Sequence, residues 1–307
     1  MRVYLSEYIH PEAEQLLRMR AEIVDNFAEP EKIDAIIVRV LKVDKELMKK
    51  TKNLKVIGKH GVGCDTIDLL AAKENGIIVL NTPHANVNSV AELIVGLMLN
   101  ISRNIVIADA GCHKGEYKQV APKILTGIEL SGKTLGLIGL GNIAKRTAEI
   151  LRAGFGMKLV GYDPYISAET AKRLGIIKYE DIKDVIAHAD VVNVSVPLTE
   201  LTKNLLAGGV FKAFKPSAIL INAARGGIVN EADLYTALKN KTIRAAACDA
   251  FVQEPPTVDN KLLTLPNFCA TPHIGALTEE ALYRMGMEVV EEILSVINGN
   301  EPKHRVV

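Results

Sequence analysis

Two α/β domains, each a doubly wound parallel sheet covered by helices, form the fold class that this sequence predicts. Short apolar runs alternate with helical patterns along most of the 307 residues, which is the signature of parallel strands joined by helical crossovers. The length suits two domains at about 150 residues each. A glycine turn that would open a doubly wound domain, Gly139-Leu-Gly-Asn-Ile-Ala144, begins near mid-chain, so a complete smaller domain has to precede it.

Val3 to Leu5, Ala35 to Arg39, Val56 to Lys59 and Ile77 to Leu80 read in order as short, fully buried strands. The stretch from Asn86 to about Gly115 is apolar on nearly all faces in its middle, which means burial between two bodies of structure or at an oligomer contact. Its core, Val90 to Ile101, holds Glu92 and Asn100 and is too short to span a bilayer. At the far end, Thr278 to Asn298 carries a helical period through Leu282, Met285, Val289, Val290, Ile293 and Ile297, with Glu279 and Glu280 near its start. This helix is expected to return to the first domain. The predicted division is therefore 1–101 with 276–307 as a smaller, flavodoxin-like substrate domain, and 102–275 as a Rossmann-type domain, with a cleft between them.

The mid-chain turn carries the strongest chemical signal. Lys133 to Ile138 reads as a buried strand, and Gly139 and Gly141 permit a tight turn whose amides approach a pyrophosphate closely. The helix that follows, about Ile143 to Leu151, aims its positive end at the same group. Ala144 replaces the third glycine and is small enough for close helix-to-strand packing. Lys158 to Gly161 reads as the next strand, and Asp163 at its carboxyl end is placed to accept from ribose hydroxyls. A carboxylate there repels a 2′-phosphate, and no cation follows until Lys172. NAD rather than NADP is the expected cofactor.

Three polar residues downstream have settings that point to catalysis. The apolar strand Ile219 to Asn222 runs into Ala223-Ala-Arg225-Gly-Gly227, which puts Arg225 on a glycine loop at a strand's carboxyl end, where open α/β sheets bind ligands. A guanidinium there can hold a carboxylate in a bidentate fork and polarise an adjacent carbonyl. Ala245 to Ala247 continues the sheet, followed by Asp249 and then Glu254 ahead of Pro255 and Pro256, which stiffen its loop. His273 follows the apolar piece Phe268 to Ala270 within Thr271-Pro-His-Ile-Gly275. Paired with Glu254, it can protonate a ketone oxygen or remove a hydroxyl proton.

Composition narrows the partners. Lysine plus arginine number 37 against 36 acidic residues, so no global charge draws nucleic acid or an anionic membrane. Cys64, Cys112, Cys248 and Cys269 are scattered, without the paired spacing of a metal site or the density of a disulfide scaffold. Reduced thiols and no metal are expected. The amino terminus reads as a core strand without a signal peptide's apolar stretch, which places the chain in the cytoplasm.

Over nearly its whole length the chain resembles the D-isomer-specific 2-hydroxyacid dehydrogenases. The resemblance rests on Gly58-Lys-His-Gly-Val-Gly-Cys-Asp-Thr-Ile-Asp-Leu69, Asn81-Thr-Pro83, Ser89-Val-Ala-Glu92, the glycine turn, Asn222-Ala-Ala-Arg-Gly-Gly-Ile-Val229, Glu254-Pro-Pro256 and His273-Ile-Gly-Ala276. It implies that Arg225 binds the substrate carboxylate and carbonyl, that His273 is the acid/base and that Glu254 orients it. It further implies that the loop around Lys59, His60, Gly61, Val62 and Gly63 offers backbone amides to the substrate carboxylate, and that Asp249 lies near the nicotinamide. The expected cofactor contacts are Gly139, Gly141, Asn142, Ile143 and Asp163, with Pro197, Ala223, Arg225, Asp249, His273 and Gly275. The formate-oxidising branch has Gln where this chain has Glu254, which argues against formate.

Within the family the chain is similar to the short form of the D-3-phosphoglycerate dehydrogenases. Val38-Arg-Val-Leu-Lys-Val43 resembles that branch's VRSxTKV stretch, with Val40 and Leu41 in place of Ser and Thr. Arg39, Lys42 and Lys59 are candidates for a cationic pocket that takes a phosphate or second carboxylate. The chain ends soon after its last helix, so feedback through an appended amino-acid-sensing domain is not expected. Glyoxylate or hydroxypyruvate reduction is an alternative activity, and a non-catalytic NAD-sensing corepressor is an alternative of another class. The partner is expected to be a small 2-hydroxy or 2-keto acid, and the assembly a homodimer or homotetramer built through the apolar Val90 to Ile101 helix.

Overall fold

The computed structural model describes Met1–Val307 and divides the chain into two compact units, Met1–Ser89 with Ala276–Val307, and Val90–Gly275. The first contains β1 (Arg2–Leu5), α1 (Pro11–Arg18), β2 (Glu22–Val24), β3 (Ala35–Val38), α2 (Lys45–Lys50), β4 (Val56–Lys59), α3 (Leu69–Glu74) and β5 (Ile78–Leu80). Its strands are all parallel in the order β2-β1-β3-β4-β5, one of the two common doubly wound arrangements. Alternate residues of one strand face opposite cores: Ile36 and Val38 join Ile57 and Val79 on one side, while Ala35 and Ile37 join Val3 and Leu80 on the other. Both faces are therefore covered, which is why these strands read as unbroken apolar runs.

Helix α4 (Val87–Arg103) crosses from the first unit into the second, and α5 (Ile105–His113) follows after Asn104. The second unit then runs β6 (Thr134–Ile138), α6 (Asn142–Phe155), β7 (Lys158–Tyr162), α7 (Ala168–Arg173), β8 (Ile177–Lys178), α8 (Ile182–His188), β9 (Val191–Val194), β10 (Ile219–Asn222), α9 (Glu231–Lys239), β11 (Ala245–Cys248) and β12 (Phe268–Ala270). These strands are also all parallel, in the order β8-β7-β6-β9-β10-β11-β12. The chain reverses direction across the sheet between β6 and β9, the switch point at which such sheets bind ligands. The last helix, α10 (Glu279–Ile297), belongs to the first unit. It lies on β4 at Gly58, where an added Cβ would come within 2.6 Å of Val289 and Ile293.

The division falls at Ser89/Val90, twelve residues before the expected 101/102 (101 − 89). Val90, Ile94, Leu97 and Met98 of α4 are buried in one cluster with Leu135 and Leu137 of β6 and Leu151 of α6. This helix is thus core of the second unit, with Leu93, Val95, Leu99 and Ile101 only partly buried beside it. The exposed apolar residues are the next ones, Ile105, Val106 and Ile107 of α5. No single helix is long and apolar enough to cross a membrane; α4 and α5 together reach that composition but are bent by 64° relative to each other. Strands β2 and β8, three and two residues long with little apolar pattern, lie at sheet edges and were not predicted, nor was the buried central strand β9.

Candidate active site

The glycine turn occupies the switch point. Gly139 has φ +91°, and an added Cβ would lie 2.5 Å from the carbonyl oxygen of Ser195 just after β9, so only glycine lets the two loops meet. Gly141 differs: a Cβ there would meet no protein atom within 4 Å. It precedes α6 without providing a side-chain cap, so the turn is an open cradle walled by the first amides of α6, those of Asn142 and Ile143 included. Ala144 is fully buried against the sheet. Asp163 follows β7, and its Oδ2 accepts the Leu140 amide at 2.9 Å while Oδ1 accepts the Tyr165 amide at 2.9 Å. Each oxygen keeps a further lone pair for a ribose hydroxyl. The open cradle and the carboxylate beyond it fit a dinucleotide.

Arg225, Glu254 and His273 all belong to the second unit, each on a loop after a strand of its sheet. The buried Asn222 shapes the first loop by donating from Nδ2 to the Arg225 carbonyl at 3.0 Å and accepting the Ala224 amide at Oδ1. Ala223 packs half-buried against the core beside it. Arg225 donates to the Ala224 carbonyl at 2.7 Å. Pro197, after β9, accepts from the Thr202 hydroxyl at its carbonyl.

Glu254 Oε2 lies 2.8 Å from Nδ1 of His273, and its Oε1 accepts the Phe251 amide at 3.0 Å. Burial pushes this carboxyl's pKa up, but the His273 hydrogen bond and charge, the Phe251 amide and the nearby charge of Arg225 outweigh it and hold the pKa below the usual carboxylate range. His273 itself has φ +58°, a left-handed conformation that costs a non-glycine residue about 1 kcal/mol or more. Asp249 supplies the compensation. Buried at the end of β11, it accepts the Thr271 hydroxyl at 2.6 Å, the Ile274 amide at 2.8 Å and the Gly275 amide at 2.9 Å, clamping both sides of the histidine. An added Cβ on Gly275 would press on the same carboxylate at 3.1 Å. Asp249 entered the sequence reading as a nicotinamide neighbour; its hold on the His273 turn is a function that only the folded loop reveals.

The Lys59–Gly63 loop lies in the first unit. Its His60 amide donates to the Val38 carbonyl and its Gly61 amide to the Thr82 hydroxyl. Of the four amides from His60 to Gly63, those of Val62 and Gly63 have no protein acceptor. Asn81 holds the Val62 carbonyl at 2.8 Å. Lys59 is buried, with its ammonium 2.5 Å from the Arg39 carbonyl and 3.4 Å from the Thr66 hydroxyl, whereas Lys42 is 78% exposed with its ammonium 4.0 Å from Asp44. Of the three candidate cations, Arg39 and Lys59 both lower the pKa of the buried His60 by their charge, and Lys42 stands beside Asp44. Glu7, missed by sequence reasoning, fills this sheet's own switch point between β1 and β3. It accepts the amides of Arg39, Val40 and Leu41 at 2.7 to 3.0 Å. Burial pushes its pKa up, but Ser6 and those amides outweigh this and hold it low. An internal carboxylate thus takes all three of these amides.

The model for the NAD-binding domain of D-isomer specific 2-hydroxyacid dehydrogenases matches residues 95–275. The chain is similar to a D-3-phosphoglycerate dehydrogenase of Methanocaldococcus jannaschii, with 47% identity over 267 residues, 87% of this chain and 50% of that protein. It is also similar to a hydroxypyruvate reductase of Thermotoga maritima, 41% identical over 304 residues, 95% of this chain and 97% of that one. Among solved structures, the TT0316 protein from Thermus thermophilus superposes with a TM-score of 0.92 at 34% identity, covering 100% of each chain. The chain spans about half the length of most of the D-3-phosphoglycerate dehydrogenases it matches. With the glycine cradle, the Asp163 carboxylate and the Glu254–His273 pair already in place, these likenesses show that the chain belongs to the D-isomer specific 2-hydroxyacid dehydrogenase family and carries that family's NAD-binding domain.

Proposed function

We propose that this protein is an NAD-dependent oxidoreductase that interconverts a D-2-hydroxy acid and its 2-keto acid. The observation that carries the reading is the 2.8 Å contact between Glu254 and His273, set in an NAD-binding domain with Arg225 close enough to lower the Glu254 pKa. When bound, NADH supplies a hydride to the keto carbon. Arg225 grips the substrate carboxylate and draws electron density from the adjacent carbonyl. With Nδ1–H held by Glu254, His273 presents Nε2, whose proton passes to the carbonyl oxygen as the alcohol forms; in the oxidative direction the neutral ring takes it back.

The substrate class is a short 2-keto acid with a polar group on its third carbon, for which 3-phosphohydroxypyruvate and hydroxypyruvate are the two candidates. The first draws support from a relative named D-3-phosphoglycerate dehydrogenase at 47% identity. The second draws it from a hydroxypyruvate reductase matched over 97% of its length. Loss of NADH absorbance across a panel with these two, glyoxylate, pyruvate and branched keto acids decides between them. Turnover of none of the panel, with NADH or NADPH, would sink the reading. We further propose a cytoplasmic homodimer or homotetramer. Four free cysteines suit a reducing compartment, and exposed Ile105, Val106 and Ile107 give α5 an apolar face to bury. Sedimentation of the protein as a monomer would refute the assembly.

A further inference from the structure

Glu254 sits in a segment with few tethers. Phe251 is buried in the core of the second unit, but Val252 is 71% exposed and Gln253 and Glu254 follow it at the surface. Between the Phe251 anchor and Pro255, the hydrogen bonds that join this segment to the rest of the protein are those of Glu254 and a single further one. The Val252 amide donates to Oε1 of Glu231 at 2.7 Å. The other oxygen of Glu231 accepts from Asn260 Nδ2 at 2.9 Å, so the carboxylate spans the two ends of the loop that carries Glu254. Glu231 is the first residue of α9, at the end of the stretch that begins with the Arg225 loop. That stretch is pinned in turn, as Asn204 donates to the Gly227 carbonyl and Leu206 to the Ile228 carbonyl. The two loops also touch directly: a Cβ on Gly226 would lie 2.0 Å from the backbone carbon and oxygen of Phe251 and 2.4 Å from the Val252 nitrogen.

We propose that Glu231 is a positioning residue for the reaction, fixing the Phe251–Glu254 segment against the Arg225 loop so that Glu254 meets Nδ1 of His273. It touches neither substrate nor cofactor in this scheme. It acts through the Val252 amide on the carboxylate that orients the acid/base. The inference rests on the proposed dehydrogenase reading for its catalytic consequence, but its structural part, the geometry of the Glu254–His273 hydrogen bond, can be read without turnover.

The test uses the full chain carrying Glu231→Ala, Glu231→Gln and Glu231→Asp. Two readouts are taken: steady-state kinetics with NADH and the best keto acid, and the downfield proton signal of a histidine Nδ1–H bonded to a carboxylate, assigned by its loss in Glu254→Ala. Glu231→Ala is expected to lower kcat about 10- to 100-fold, the cost of a catalytic group misplaced by around 1 Å, with KM for NADH within about twofold because the cradle at Gly139 and Gly141 is untouched. The downfield signal broadens or disappears. Glu231→Gln keeps an acceptor for Val252 and restores both readouts to within about threefold of wild type, since an uncharged oxygen still bonds an amide. Should the alanine variant fail to fold, Glu231→Asp gives the same reading, because it keeps the charge and withdraws it by one methylene from the Val252 amide. Unchanged kcat and an intact downfield signal in a folded alanine or aspartate variant overturn the proposal, as does a fall in melting temperature alone. If wild type turns over no keto acid but the signal is lost in Glu231→Ala, the dehydrogenase reading fails while the positioning contact stands.

Discussion

Glu254 uses its two oxygens on two partners at once, Oε2 on His273 Nδ1 at 2.8 Å and Oε1 on the Phe251 amide at 3.0 Å. The amide fixes where the carboxylate stands, and the carboxylate fixes how the imidazole turns. A histidine held at one nitrogen has one tautomer and one free nitrogen to offer a substrate. This is the arrangement required of an acid/base that must give and take a proton at the same carbonyl oxygen.

His273→Ala is therefore expected to lower kcat by about 10²- to 10⁴-fold, the usual worth of general acid/base catalysis, with NADH binding retained. Glu254→Gln keeps the shape but loses the charge, and its kcat falls less. The Glu254 pKa is held below the usual carboxylate range. The pair is thus intact at and above the ordinary carboxylate pKa and is lost only as pH falls through the lower, folded value. Activity should consequently persist into mild acid in wild type, and a rate profile against pH is the check. An acid limb at or above the ordinary carboxylate value would contradict it.

Asp163 accepts two backbone amides, one from the glycine turn and one from its own loop, and in the proposed reading also binds the ribose. Asp163→Asn keeps an acceptor and removes the charge. KM for NADH is expected to rise about 10-fold, the worth of one charge-assisted hydrogen bond, while the preference over NADPH narrows because the repulsion of a 2′-phosphate is gone. Parallel titrations with the two cofactors measure this. An unchanged ratio would remove Asp163 from cofactor selection.

In the first unit, His60 is 2% exposed and neither ring nitrogen makes a hydrogen bond of standard geometry, although the Leu282 carbonyl favours the charged ring somewhat. Burial first, and then the charge of Arg39, push its pKa down from 6.5 to about 4; Lys59 adds to this, and Glu7 opposes it. Between these two values the unfolded chain binds a proton that the folded protein refuses, so stability falls as pH drops through that window. The loss amounts to about 3 kcal/mol by around pH 4. His60→Leu, similar in volume and unable to titrate, should flatten this part of the curve. Urea midpoints near pH 4 and near pH 7 compare the two proteins, and an equal acid sensitivity would refute the assignment.

Local pattern made much of this molecule legible. The strand, two glycines, helix and next strand around Gly139 are contiguous in sequence, so their chemistry shows in their spacing. Arg225, Glu254 and His273 could be picked out as candidates because each follows a short apolar run, and strand ends are where such sheets bind ligands; the structure joins Glu254 to His273. What stayed hidden depends on partners distant in sequence and without side-chain signature. Glu7 serves amides 32 to 34 residues away, Asp249 amides 25 and 26 away, and Glu231 an amide 21 away. Every residue has an amide, so nothing in the sequence marks which amides these carboxylates hold. The misplaced boundary has a similar origin: α4 is apolar all round, and periodicity alone does not say which of two bodies receives it.

The two glycines of the cradle look alike in sequence and differ in what they do. At Gly139, φ is +91° and a Cβ would collide with the Ser195 carbonyl oxygen at 2.5 Å, its carbon at 2.8 Å and a Val196 methyl at 2.8 Å. Gly139→Ala is therefore expected to cost about 2 kcal/mol or more of stability through backbone strain and overpacking, with NADH binding lost alongside. At Gly141, φ is −71° and ψ −173°, open to any residue, and a Cβ meets no protein atom within 4 Å. Gly141→Ala should melt like wild type and yet bind NADH at least about tenfold more weakly, because the new methyl occupies the space where a pyrophosphate approaches the backbone. Thermal melts with a fluorescence titration of NADH separate the two effects. Wild-type affinity in a stably folded Gly141→Ala variant would mean that the pyrophosphate does not approach the backbone at Gly141, and that the open space over this turn serves another purpose.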